Sequence, residues 1–162
     1  MFLLRSASFL PRPEGQVRRW VSVILWLVVI ALFSTGVASQ SATEGPVTHL
    51  LRSAWPAAFT WLERTALPDV LSFIVRKGAH LFEYGVLALL LARALRFWPT
   101  MPTATAMATA LGVCALVASA DELHQTLVAS RTGSLADVGI DVAGATAALV
   151  WLRVRRARAG RG

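Results

Sequence analysis

Lys77-Gly78-Ala79-His80-Leu81-Phe82-Glu83-Tyr84 opens a segment that is otherwise apolar as far as Leu90. Wound as a helix, positions 77, 80, 83 and 84 fall on one stripe, because residues three, four and seven apart share a face. An ammonium, an imidazole, a carboxylate and a phenol then line one side of a helix that otherwise reads as membrane-embedded. Such groups are costly in lipid and mark either a function or an internal pairing.

The rest of the composition agrees with a membrane setting. The chain has 162 residues, 56% hydrophobic and 15% charged, against roughly 25% charged in soluble domains. That length allows one domain with several spans. Cys114, the single cysteine, sits in an apolar run, which rules out an internal disulfide and any cysteine-based metal site. The formal charge is +7, but the arginines flank hydrophobic stretches with no aromatic-interleaved recognition motif. Nucleic-acid binding is therefore not expected.

Outward from the central stretch, residues 1–19 form a basic cytoplasmic arm with Arg5, Arg12, Arg18 and Arg19. Pro11, Pro13 and Gly15 discourage continuous helix there. Trp20 to Ala38 holds no charge and would span about 28 Å, close to the hydrocarbon thickness. Val37-Ala38-Ser39 resembles a signal-peptidase site, but the apolar run exceeds the roughly 7–15 residues of a signal core. An uncleaved first span is expected. From Pro46 to Leu67 apolar residues recur at helical spacing, interrupted by Pro56, with Trp55 and Trp61 as anchors. This predicts a short interfacial helix in the first outer loop, or alternatively a lid on the bundle.

Asp69 reads as the N-cap of a helix over 70–96 that crosses the membrane at 78–95. The third span is 102–120, with Asp121-Glu122-Leu123-His124-Gln125 emerging from it. Arg131-Thr132-Gly133-Ser134 reads as a turn, 138–154 as the fourth span, and 155–162 as a basic tail. Gly112, Gly144, Ala147 and Ala148 are expected at helix contacts, since small residues let backbones approach. The fold class is thus all-α, a four-helix transmembrane bundle within 20–154. Eleven of the sixteen basic residues lie in the arm, the turn near Trp98 and the tail, so both termini are expected in the cytoplasm, with the chain in the inner membrane. That orientation brings three polar stretches to one outer leaflet.

The motifs resemble those of the VanZ-like membrane proteins. Lys77 to Tyr84 is similar to the family's K-x-x-H-x-x-E-Y element, and Ser119 to Gln125 to its S-D-E-x-H-Q element with Ala120 inserted. Arg131-Thr132-Gly133-Ser134, Asp137 and Asp141-Val142-Ala143-Gly144 resemble its R-x-G-S-x-x-D-x-x-x-D/N-x-x-G ending, and Phe33-Ser34 its F-S. The resemblance covers about residues 20 to 152. It implies a membrane protein connected with the cell envelope or with glycopeptide (teicoplanin) susceptibility, an antibiotic-resistance setting.

Three chemistries fit the cluster. His80 and Glu83, with Asp121, His124, Asp137 and Asp141, form a nitrogen/oxygen set of metal-ligand type. A self-satisfied polar network that ties helices together is the preferred reading, so no metal and no cofactor is expected. Binding of an anionic membrane lipid or a lipid-linked glycan or glycopeptide would use Lys77, His80, Glu83, Tyr84, Asp121, Glu122, His124, Gln125, Arg131, Asp137 and Asp141, with Arg131 as a phosphate fork. In the bland alternative Arg131 pairs with Asp137, and Lys77 with Asp121 or Glu122. A hydrolase or transferase acting on a lipid-linked substrate would draw its acid and base from His80, Glu83, Asp121 and Asp141, with Ser34 as nucleophile if it faces His80. Asp121-Glu122-Leu123-His124 also matches a helicase box, which is rejected because no phosphate loop accompanies it. Asp141, one turn inside the fourth span, is expected to have a direct partner, Arg131 or His80.

Overall fold

Four long helices carry nearly all of the described chain: α1 (Pro13–Ser34), α2 (Leu67–Leu95), α3 (Thr103–Thr126) and α4 (Leu135–Ala159). The computed structural model describes residues 13–34, 53–57, 67–96, 101–126 and 134–160, and among these there is no strand. Each helix contains a window long and apolar enough to cross a membrane. Leu25 on α1, Leu116 on α3 and Trp151 on α4 point outward from the bundle. Apolar surface on this scale is a liability in water and is at home in lipid. The chain is a multi-pass membrane protein of all-α class.

The helices are longer than the spans read from sequence. α1 begins at Pro13, so the last seven residues of the expected cytoplasmic arm, 13–19, are helical. Proline is tolerated in a first turn, where its missing N–H has no helical partner to lose. α2 begins at Leu67 rather than Val70, which puts Asp69 inside the first turn and removes its N-cap role. α3 continues to Thr126, so Asp121 to Gln125 are helical. α4 starts after Ser134, whose side chain accepts from the Ala136 N–H as a true N-cap, and it carries the arginines to Ala159. Of the expected interfacial helix only 53–57 is described, with helical turns around an exposed Trp55. Trp61 and the rest lie outside the described residues.

α2 is the hub. It touches α1, α3 and α4, whereas α1 and α4 do not meet among the described residues. α1 runs antiparallel to it, as shown by Arg19 Nη1 donating to Arg93 O (3.3 Å) and Trp26 Nε1 to Glu83 O (2.9 Å). α4 runs parallel to α2 and packs against it most extensively of all. A Cβ built on Gly144 would lie 2.8 Å from Leu81 Cα, and one on Gly85 would lie 3.6 Å from Ala148 Cβ. Two helices approach this closely only where a residue has no side chain.

The small-residue expectation holds at Gly144 and at Ala148. It fails at Gly112, which faces open space, and at Ala147, which is exposed. The inward stripe of α3 is Ala106, Ala110, Cys114 and Ala118. Gly112 lies two residues, about 200°, away from that stripe. On α4 the inward place falls to Ala145, which is fully buried.

Candidate functional site

At the end of the bundle opposite the arginines, polar side chains from α2, α3 and α4 meet. Lys77, one turn before His80, donates to Asp137 in the first turn of α4. Its ammonium also lies 5.4 Å from the centroid of the Phe73 ring. The pairing differs from the one expected with Asp121 or Glu122. The parallel α2–α4 register puts residue 77 opposite 137, while Glu122 is taken by another donor. The buried Glu122 carboxylate accepts from the backbone N–H of Ser134 and so ties the end of α3 to the start of α4. Asp121 accepts from Gln125 Nε2 one turn on, at 2.9 Å.

One turn deeper, His80 Nδ1 and Asp141 Oδ1 stand 3.2 Å apart. Asp141 is 1% exposed. The expected direct partner of this buried acid is therefore His80, while Arg131 lies outside the described residues. An unpaired carboxylate costs on the order of 2.5–3.5 kcal/mol at the centre of a span and less near an end, and this contact ties α2 to the second turn of α4. Glu83, half-buried, is near enough to feel the charges of His80, Asp141 and Asp121. Tyr84 is fully buried beneath them.

His124 does not join the cluster. It is exposed on α3, whereas Glu122 and Gln125 point inward. Within the helix that extends to Thr126, residue 124 falls on the outer face. Among the described residues, no group of three His, Cys, Asp or Glu side chains is arranged to hold a metal ion.

Four buried polar atoms at this end have no hydrogen-bond partner among the described residues: Ser34 Oγ, His80 Nδ1, Tyr84 Oη and Asp141 Oδ1. The His80 and Asp141 atoms face each other at ion-pair distance without hydrogen-bond alignment. Leaving such groups unsatisfied costs about 1–3 kcal/mol each. Ser34 does not bond to His80, so the two are not aligned as nucleophile and base.

Trp26 is the contributor that the sequence reading missed. Its indole N–H reaches the Glu83 carbonyl, and its ring packs edge-on against Phe82 with centroids 6.4 Å apart. It braces the back of the cluster from α1. Its one signal in the sequence was an indole in the middle of a span, away from the interfaces where tryptophan usually sits.

A model of the family described as VanZ/LLP1 matches residues 19–156, a range that takes in most of all four helices. Neither a curated protein nor a solved structure matches the chain.

Proposed function

The chain belongs to the VanZ/LLP1 family, and from that premise we propose that it binds the headgroup of an anionic lipid or lipid-linked envelope component at the His80 end of the bundle. In this reading that end faces the outer leaflet of the inner membrane and both termini are cytoplasmic. The observation that carries the proposal is the pair of buried, unpartnered hydroxyls of Ser34 and Tyr84 at the same end as the His80–Asp141 pair, whose facing atoms lack hydrogen-bond alignment. A headgroup hydroxyl could donate to the Asp141 carboxylate and bond the Ser34 and Tyr84 hydroxyls, while a headgroup phosphate would accept from the hydroxyl and imidazole donors only. The surrounding contacts, Lys77 with Asp137 and Glu122 with the Ser134 N–H, would hold the receiving groups in place beforehand, which lowers the ordering cost of binding. Occupancy of this site would act on the cell envelope and on glycopeptide susceptibility.

A second reading is favoured by those same ties. Lys77–Asp137, His80–Asp141 and Glu122–Ser134 join three helices, and a purely structural helper would need nothing more. Tyr84→Phe separates the two readings. It removes only an oxygen that makes no hydrogen bond within the described residues. Under the structural reading it leaves stability unchanged or slightly raised and changes nothing else. Under the binding reading stability is kept, but lipid or lipid-linked glycan retained through mild purification falls at least severalfold by native mass spectrometry. Wild-type retention in Tyr84→Phe would remove the hydroxyl from the proposed site, and a wild-type protein that carries no such molecule would defeat the proposal.

A further inference from the structure

The arginine end of the bundle holds a second arrangement, independent of the His80 cluster. Between α3 and α4 runs an open groove of about 240 Å³, walled by Met107, Leu111, Leu149, Val150 and Val154, with Arg153 along it. Its surface is apolar, so Arg153 contributes its methylene stem there, leaving the guanidinium to reach towards the membrane surface. From Thr146 to Val154 the groove follows α4 for about 12 Å.

Arg156 stands one turn beyond Arg153. Its Nη1 is buried and has no partner among the described residues. Arg96, just past the end of α2, lies at the same end of the bundle as Arg156. Among the described residues none of Arg96, Arg153 and Arg156 has a carboxylate partner. Like charges held together at the edge of lipid are unfavourable unless an anion lies between them. Guanidinium forks match phosphate oxygens in pairs.

We propose that this is a binding site for one anionic phospholipid of the leaflet at the arginine end. One acyl chain lies in the α3–α4 groove, and the phosphate is held by Arg153 and Arg156 with Arg96 beside it. An apolar channel lined by Arg153, with the unpaired Arg156 one turn beyond, fits an amphiphile. A free phosphate would use the arginines and leave the groove without a role.

The test uses the full chain in detergent, titrated separately with phosphatidylglycerol, phosphatidylcholine and inorganic phosphate, and read by thermal shift and native mass spectrometry. Phosphatidylglycerol should bind at least fivefold more tightly than phosphatidylcholine, and inorganic phosphate should give no shift. Arg153→Gln/Arg156→Gln should weaken phosphatidylglycerol at least fivefold. Ala108→Phe, which fills the groove from its α3 wall, should do the same with every arginine intact. Arg158→Gln, exposed beyond the site, should bind phosphatidylglycerol like wild type. Helix content and a single size-exclusion peak establish that each variant is folded, and if the double variant fails that check, Ala108→Phe and Arg153→Gln alone carry the test. Wild-type affinity in the folded groove or arginine variants would overturn the proposal. So would equal binding of phosphatidylcholine, or a full shift from inorganic phosphate alone.

Discussion

α2 makes two very different seams. Against α4 it runs parallel, brings its backbone to Gly144, and crosses the gap with Lys77–Asp137 and His80–Asp141. Against α1 it runs antiparallel and meets large side chains, Val23, Trp26 and Ile30. Lipid tails are as apolar as leucine, so burying Val23 or Ile30 against a helix gains little over burying them in lipid. Close backbone approach and polar pairing have no such substitute. The α2–α4 seam therefore sets the register of the bundle, while α1 is held by shape and by the Trp26 and Arg19 side-chain hydrogen bonds to α2 carbonyls.

The largest effect should come from Gly144→Leu. Its Cβ alone would lie 2.8 Å from Leu81 Cα, so α2 and α4 must separate. The expected loss is about 3 kcal/mol or more, read as a shift in detergent-denaturation midpoint, and a midpoint at the wild-type value would break the comparison. Lys77→Met comes next. It leaves the partly buried Asp137 unpaired, at a cost of about 1–3 kcal/mol. Lys77→Met/Asp137→Leu should regain most of that loss, because replacing both members of such a pair with apolar groups is often close to neutral. A double variant as unstable as the single would show that the seam needs the charges themselves.

On the other seam, Trp26→Phe deletes the indole donor to Glu83 O and keeps the ring contact in part. Thermal unfolding should show a loss of about 0.5–1.5 kcal/mol. If this variant falls below Gly144→Leu, the ranking of the two seams is reversed. The smallest effect belongs to Gly112→Leu, on a face with open space around it. Its unfolding midpoint should correspond to a change within about 0.5 kcal/mol, and a larger loss would mean that this face of α3 is packed against something.

The four spans were legible because each is an apolar run ended by arginines, prolines or polar turns. Their true ends were not. The sequence reading ended the third span at 120 and the fourth at 154, yet Asp121 to Gln125 and Arg155 to Arg158 remain helical. A helix already nucleated in the membrane continues into the interface at little cost, and charge alone does not end it. His80 opposite Asp141 could be anticipated, since a buried acid demands a partner. Lys77 opposite Asp137 could not, because it depends on a parallel register between helices separated by α3. The same missing register hid Gly85, which packs on Gly144 and Ala148, and misplaced Gly112 and Ala147. Composition says that small residues seek contacts; only the phase of the stripe says which ones do.

The parallel pairing of α2 with α4 also orders events at the ribosome. α2 has the least apolar spanning window of the four, with mean hydropathy 1.3 against 1.6–1.9 for the others, and among the described residues its ammonium and imidazole pair with carboxylates on α4. Lys77 and Asp137 lie 60 residues apart in the chain. At synthesis rates of about 5–20 residues per second, Asp137 follows Lys77 by about 3–12 s. For that interval Lys77 and His80 lack the carboxylates with which they pair in the folded bundle, and the second span gains those partners only when α4 follows.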